Sequence, residues 1–261
     1  MPSLDFTVRY YHLTRRGRIT ESEFHRRELQ WQVPISQVAL VLVDVWSDLY
    51  VTSHRDRSRQ ITLDRILPVL EGFREMDGTV IHAPSPACAK RYPQWSRFAG
   101  DDEVFGNSAG SSRDAWPPST FRGKTDEYAA YARPQDPKDQ VFDDIIQNRS
   151  IVPEAEPKGD DFVIATGDQL HRLLKHRGIL FLLYAGFAAN MCVPFRDYGM
   201  REMKNRGYEV ILLRDCTSAI EVADTYDDML LSRAAVVDVE QTIGYTAASE
   251  DVVKACGEAK S

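Results

Sequence analysis

The chain has 261 residues, of which 43% are hydrophobic and 27% charged, and its formal net charge is −7. This composition is typical of a globular protein with a sizeable core. The acidic balance argues against nucleic acid or an anionic membrane surface as a partner. No apolar stretch reaches the roughly 20 residues that span a bilayer, and residues 1–6 lack the charged-then-apolar order of a signal peptide.

Four cysteines are scattered along the chain without C-x-x-C spacing. They are Cys88, Cys192, Cys216 and Cys256. This spacing favours free thiols in a reducing compartment over a disulfide framework or a zinc ribbon. We therefore expect a cytoplasmic protein.

Residues 1–35 carry several aromatic side chains ahead of the first strand signal, and we expect them to form a hairpin or an arm on the domain or on a neighbouring subunit. Apolar runs then alternate with helical spacing, which is typical of a parallel sheet covered on both faces. The predicted strands are residues 38–43, 79–83, 161–165, 179–184, 208–213 and 235–239. The predicted helices are residues 61–75, 170–177, 198–205, 225–233 and 249–255. The expected fold is a three-layer α/β/α, Rossmann-like fold around a six-stranded parallel sheet.

Residues 84–157 differ from the rest of the chain. They are rich in proline, serine, arginine and aromatic residues, with few periodic stretches. A segment of this length inside a compact domain is usually functional, so we expect a lid or a subunit contact. Its proline clusters argue against a second core, and the predicted organisation is one domain over residues 1–261.

The most informative segment is residues 182–193, with the sequence LLYAGFAANMCV. An apolar strand ends at Gly186, small residues follow, and Cys192 opens a predicted helix. Unpaired N–H groups and the helix dipole at such a position favour a thiolate, and the same N–H groups can hold an oxyanion. Cys192 is therefore a candidate nucleophile, and a small buried core cysteine is the alternative.

Two further polar residues end predicted strands. Asp44 follows the first strand and His82 lies at the end of the second. In an open parallel sheet, ligands bind beyond the carboxyl ends of the strands where the strand order reverses. If the first and fourth strands are neighbours, Asp44 meets Cys192 there and can take its proton. The alternatives are a helix N-cap for Asp44 and a structural histidine for His82.

These residues resemble the isochorismatase-like cysteine hydrolases. The resemblance rests on the strand ending at Asp44, on the segment His82-Ala83-Pro84-Ser85 and above all on residues 186–193, and it covers roughly residues 38–245. It implies a six-stranded parallel sheet between helices and a homo-oligomer, commonly a dimer or tetramer. It also implies activity on a small molecule, since the family includes amidases and vinyl-ether hydrolases.

The resemblance also implies roles for single residues. It makes Cys192 the nucleophile and Asp44 its base, and it makes the peptide between Phe187 and Ala188 a cis bond. The N–H groups of Ala188 and Cys192 would then form the oxyanion hole. Phe187 is a candidate substrate contact, and so is Trp46, for which a core aromatic is an equal alternative.

Two features of the family pattern are missing. The family's catalytic lysine ends the third strand, and Ala165 occupies the matching position here. Without a cation, Asp44 would raise the pKa of Cys192 through like-charge repulsion, and hydrolysis would be weak or absent. The candidate substitute cations are Lys124, His82 and Arg122. The zinc-binding histidines of nicotinamidases are also missing after His82, so we expect no metal and no cofactor.

Three hypotheses follow for the function. The first is a cysteine hydrolase that cleaves an amide or similar C–N bond of a small molecule through a covalent Cys192 intermediate. The second is a catalytically degenerate family member that binds a small carboxylate. The third is a vinyl-ether hydrolase, in which acid catalysis by Asp44 suffices and no thiolate is needed.

Overall fold

A computed structural model describes residues 2–14, 17, 19–98, 116–134 and 140–259. Its centre is one sheet of eight strands in the order β2-β1-β8-β7-β6-β3-β4-β5. The strands are β1 (Ser3–Leu13), β2 (Phe24–Pro34), β3 (Val38–Val43), β4 (Thr79–Ala83), β5 (Phe162–Val163), β6 (Phe181–Gly186), β7 (Glu209–Leu213) and β8 (Tyr245–Ala247). The six neighbouring strands from β8 to the edge strand β5 are parallel. The sheet thus has two strands more than the six predicted.

The two additional strands are the N-terminal hairpin. β1 pairs with β2 in antiparallel register over their whole length and joins β8 at Arg9 and Thr246. Leu4, Phe6 and Val8 alternate along β1 and are buried, because the side chains of a strand point alternately to its two faces. Residues 1–35 therefore extend the sheet at its β8 edge.

The parallel strands are buried on both faces. All six residues of β3 are buried, which explains their unbroken apolar sequence. Leu40 and Leu42 pack into one core, whereas Val41 and Val43 pack into the other. The sheet is therefore the middle layer between two helical layers, as predicted.

Ten helices surround this sheet in the described ranges. They are α1 (Thr52–Ile61), α2 (Leu67–Glu75), α3 (Pro86–Ala89), α4 (Ser119–Gly123), α5 (Gln140–Asn148), α6 (Gly167–Arg177), α7 (Cys192–Phe195), α8 (Met200–Asn205), α9 (Leu230–Asp238) and α10 (Ser249–Glu258). Within the described ranges, no helix is long and apolar enough to cross a membrane.

Three predicted elements were wrong in position. The helix predicted at residues 225–233 begins only at Leu230 and ends at Asp238. Residues 235–239 belong to the end of α9 and the turn after it, and the sixth parallel strand is β8, at Tyr245–Ala247. A short apolar run does not distinguish strand from helix, and here the run continues a helix that begins at Leu230. The helix after β3 begins at Thr52 rather than at residue 61, because its first turns bury only His54 and Ser58 and show little apolar periodicity.

The strand order reverses between β3 and β6. From β3 the chain moves through β4 to β5 on one side, and from β6 it moves through β7 to β8 on the other. Adjacent strands at such a point send their following loops to opposite sides, which leaves a crevice at the carboxyl ends of the strands. Val43 and Gly186 are the last paired residues of the two strands, so Asp44 and the loop to Cys192 border this crevice.

The close approach of β3 and β6 requires glycine at position 186. Gly186 has φ +118°, and an added Cβ would lie 1.9 Å from the carbonyl oxygen of Val43. We expect Gly186→Ala to lower the free energy of unfolding by more than about 4 kcal/mol, measured by urea denaturation. Gly207→Ala is the matched control, because Gly207 has φ +93° with no atom near the added Cβ and should lose about 1–3 kcal/mol. Equal losses would contradict the steric argument.

Candidate active site

Asp44 is held rigidly at the end of β3. It is 1% exposed, its backbone is left-handed with φ 47°, and its N–H donates to the carbonyl of Ala83 at 3.2 Å. Asn and Asp are the non-glycine residues that adopt this backbone conformation most readily. The strand pair therefore fixes a carboxyl group at the floor of the crevice.

The two oxygens of the Asp44 carboxyl group have different surroundings. Oδ2 accepts hydrogen bonds from Arg196, at 3.2 Å from Nη2 and 3.4 Å from Nε. Oδ1 is buried without a hydrogen-bond partner among the described residues. Burial raises the pKa of Asp44, and the Arg196 guanidinium and the Cys192 thiol oppose that rise. One oxygen is thus held by a cation while the other is free to accept a proton.

Cys192 is the first residue of α7, as predicted. Burial and the Asp44 charge raise the pKa of its thiol to about 11, while Arg196 and the N–H of Ala188 lower it. The predicted help from a helix N-terminus is small, because α7 has only four residues and the dipole grows with aligned peptides. The resting thiol is therefore protonated at neutral pH, beside a carboxyl group that can accept its proton.

The loop between β6 and α7 is fixed by backbone hydrogen bonds. The peptide between Phe187 and Ala188 is cis, and the N–H of Phe187 donates to the carbonyl of Val43 at 2.9 Å. The carbonyl of Ala188 accepts from the N–H groups of Met191 and Val193, and the N–H of Ala188 interacts with the sulfur of Cys192. The two predicted oxyanion-hole residues are thus adjacent at the thiol.

A cavity of about 240 Å³ lies against the thiol and the carboxyl group. It is bordered by the sequence-predicted residues Asp44, Trp46, Phe187, Ala188 and Cys192. Its remaining walls are mainly apolar and come from Leu49, Tyr50, Phe142, Ile146, Met191 and Ile220, with His54, Arg55, Ser58 and Arg149 as the polar members. The volume lies below the roughly 300 Å³ at the lower end of drug-sized ligand pockets, so the cavity suits a small ligand.

Part of the long segment at residues 84–157 covers this cavity. Phe142 of α5 contacts Tyr50, with the two ring centroids 4.2 Å apart and the ring planes tilted by 49°. After α5 the chain pairs with the loop that follows β3, where the N–H of Ser47 donates to the carbonyl of Ser150 at 2.8 Å. Arg91 donates to the carbonyls at the end of α5, including Asn148 at 2.9 Å. Residues 99–115 and 135–139 lie outside the described part of the segment.

The three predicted substitute cations, Lys124, His82 and Arg122, lie away from the cavity. Lys124 Nζ sits 3.4 Å from the ring centroid of Phe121. His82 is fully buried and lies 3.2 Å from Asp161 Oδ2 through Nε2, and burial lowers the pKa of His82. None of the three borders the cavity, so the structure brings none of them to Asp44.

Two arginines provide the positive charge near Asp44 for which the sequence analysis found no residue. Arg196 pairs with Asp44, and Arg149 lies over the ring of Trp46 with its Cζ 3.3 Å from the ring centroid. Sequence reasoning missed both. The position of Arg196, one helical turn after Cys192, is the one signal that could have indicated it, whereas Arg149 lies in a segment without a readable pattern. Ala165, which we predicted to match the family's lysine, is buried.

His54 is a buried histidine at the cavity wall. Burial and the neighbouring Arg57 lower the pKa of His54 to about 4, and Nε2 lies 3.3 Å from Ser58 Oγ. In the unfolded chain the His54 side chain binds a proton near pH 6.5, whereas in the folded protein it does so only near pH 4. The free energy of unfolding therefore decreases as the pH falls from 6.5 toward 4. We expect about 3 kcal/mol of pH-dependent unfolding free energy over this range. Urea denaturation of His54→Gln should show a shallower pH dependence than wild type, and an equal slope would contradict it.

In the ranges that the structure describes, no group of three or more His, Cys, Asp or Glu side chains is arranged to hold a metal ion. The expectation of a metal-free reaction stays a prediction. The groups that surround the thiol are instead a carboxyl group, two guanidinium groups and backbone N–H groups. Together they can move a proton and stabilise a negative charge.

A three-layer α/β protein with a thiol and a carboxyl group at the reversal of its strand order defines a class of hydrolases. The family model for the isochorismatase domain matches residues 38–242. The chain belongs to the isochorismatase family, whose members are hydrolases. No curated protein sequence matches the chain.

The chain is similar to several solved structures. A cysteine hydrolase from Pseudomonas syringae pv. phaseolicola 1448A is 16% identical with a TM-score of 0.54, over 88% of this chain and 96% of that chain. An isochorismatase-like hydrolase from Alkaliphilus metalliredigens is 16% identical with a TM-score of 0.49, over 84% and 98%. N-carbamoylsarcosine amidase from Thermoplasma acidophilum is 16% identical with a TM-score of 0.42, over 82% and 97%. The likeness to the first of these supports the predicted fold.

Proposed function

We propose that the protein is a cysteine hydrolase that cleaves an amide or similar C–N bond of a small molecule. The observation that carries the proposal is the thiol of Cys192 beside the carboxyl group of Asp44, at the wall of a small and mainly apolar cavity. A buried carboxyl group that accepts a proton from a neighbouring thiol generates the nucleophile without a solvent-exposed base. We further propose that it acts as a cytoplasmic homo-oligomer.

The proposed reaction has two halves. Asp44 takes the thiol proton while the sulfur of Cys192 attacks the carbonyl carbon, and the N–H groups of Ala188 and Cys192 stabilise the oxyanion. The C–N bond then breaks, and Asp44 returns the proton to the leaving nitrogen. In the second half Asp44 removes a proton from water, the resulting hydroxide displaces the sulfur from the thioester, and the thiol is restored. One water is consumed, and one acid and one amine are released.

Arg196 supplies the charge that the family's lysine gives elsewhere. Its guanidinium holds Asp44 Oδ2, lowers the pKa of Asp44 and lowers that of Cys192. We expect Arg196→Met to reduce kcat/KM by about 10²–10³, a value typical for removing one charge-stabilising group. The acidic limb of the pH–rate profile should move to higher pH, because a carboxyl group that loses its cation binds its proton more tightly.

The control for this variant is Arg201→Met. Arg201 lies near the ring of Phe195 and pairs with Asp238, away from Asp44. Arg201→Met should leave both kcat/KM and the pH profile within about twofold of wild type, whereas Arg196→Lys should recover part of the lost rate. An unmoved acidic limb in Arg196→Met would reject the charge role.

The test of the proposed activity is a screen of small amides, carbamoyl compounds and enol ethers. Steady release of amine or ammonia that is lost in both Cys192→Ser and Asp44→Asn supports the proposal. Turnover of an enol ether that survives Cys192→Ser would instead identify the vinyl-ether hydrolase. The buried thiol with its raised pKa favours the binding-protein alternative, and turnover of any amide would reject that alternative.

A further inference from the structure

The cavity contains one cation that forms no ion pair with a carboxylate of the described residues. Three charged residues border it, namely Asp44, Arg55 and Arg149. Asp44 pairs with Arg196, whereas no carboxylate among the described residues lies within ion-pair distance of Arg149. A positive charge at the wall of a mainly apolar cavity is costly unless a ligand compensates it. This balance leaves the cavity with one surplus positive charge.

Arg149 is oriented for a planar anion. One face of its guanidinium lies on the indole of Trp46, with Cζ 3.3 Å from the ring centroid. Its main-chain carbonyl accepts from Arg91 at 3.1 Å, and its N–H donates to Ile145 at 2.9 Å. Stacking covers the face of a guanidinium but leaves the N–H groups on its edge, which match the two oxygens of a carboxylate.

The rest of the cavity favours an apolar body. Phe142 and Ile146 face it from α5, and Ile220 and Met191 face it from the other side. The neighbouring histidine, His54, is neutral at pH 7 because burial lowers its pKa to about 4. A ligand with a second charge far from Arg149 would therefore lose hydration without gaining an ion pair.

We infer that Arg149 binds the carboxylate of the substrate, and that the substrate is a small monocarboxylate whose apolar body carries the C–N bond to Cys192. This inference rests on the proposed function. It assigns recognition to Arg149 and the reaction to Arg196 and Asp44, because Arg149 borders the cavity whereas Arg196 lies behind the carboxyl group that it holds.

The test uses equilibrium binding to the full-length Cys192→Ala protein, in which no turnover occurs. Benzoate and benzamide are the probes, because they share an apolar ring and differ in charge. By isothermal titration calorimetry, benzoate should bind at least tenfold more tightly than benzamide. Adding Arg149→Met should weaken benzoate at least tenfold and change benzamide less than twofold.

Arg55→Met is the matched control. Arg55 borders the same cavity, but its guanidinium is already paired with Asp48 and Asp56, so its loss should change benzoate binding less than twofold. Equal affinity for the two probes, or a loss of benzoate binding that is the same in both arginine variants, would overturn the inference. Binding is measured without turnover. A screen that finds no hydrolysis would therefore reject the proposed function without deciding whether Arg149 binds a carboxylate.

Discussion

Replacing Cys192 by alanine should abolish hydrolysis of any amide that the wild-type protein turns over. Without the sulfur no thioester forms, and the N–H groups and Asp44 alone can only assist direct attack by water. Loss of the nucleophile in a covalent mechanism costs at least about 10⁴-fold in kcat. The measurement is the steady-state rate of amine release, together with an acid-quenched mass spectrum that should show the acyl group on Cys192 in the wild type.

Cys256→Ala is the control for the effect of removing a buried thiol. Cys256 lies in α10 and packs against α2, away from the cavity. This variant should keep its rate while losing some stability, as expected for a small core truncation. Amide turnover in Cys192→Ala within tenfold of wild type would reject covalent catalysis.

Replacing Asp44 by asparagine should have opposite effects on turnover and on thiol reactivity. Turnover should fall at least about 10³-fold, since the base that accepts the thiol proton is gone. Alkylation of Cys192 by iodoacetamide should become faster, because the Asp44 charge raises the pKa of the thiol and Arg196 would be left unpaired beside it. Each unit by which the thiol pKa falls increases the thiolate fraction about tenfold and lowers the nucleophilicity of the thiolate about threefold. We therefore expect alkylation to become about threefold faster for each pKa unit lost.

The direction of this second effect separates Asp44 as a base from Asp44 as a structural residue. A structural role would slow turnover and leave the pH dependence of alkylation unchanged. Asp48→Asn is the matched control, because Asp48 lies in the loop after β3 and pairs with Arg55 rather than Arg196. It should alter neither rate by more than about twofold. Slower alkylation in Asp44→Asn than in wild type would contradict the electrostatic argument.

Much of the fold could be predicted because its signals are local. The buried strands are continuous apolar runs, and each is followed by a residue whose type fits the end of a strand, as Asp44 does. Adjacency of β3 and β6 followed from the general rule for open parallel sheets. The run at residues 235–239 failed because its apolar residues are equally compatible with the last turn of a helix, and composition alone does not decide between them.

The charge environment of the site could not be predicted in the same way. An arginine pairs with a buried carboxylate only if the fold brings two distant segments together. The local sequence around either residue does not indicate this contact. Arg196 and Asp44 are separated by 152 positions, and Arg149 follows a helix hidden among proline-rich stretches. The sequence shows that position 165 is alanine rather than lysine, but it does not show which arginines lie near Asp44.

The position of Arg196 also decides which parts of the molecule must stay accurately aligned. In the proposed mechanism the nucleophile and the cation, Cys192 and Arg196, lie four residues apart on one connection, and the base is on the loop that follows the adjoining strand. The proposed reacting groups therefore depend on two neighbouring segments, and the end of β5 contributes none of them. Substitutions there, where Ile164 and Ala165 are buried, should therefore lower thermal stability without changing the rate of the proposed reaction.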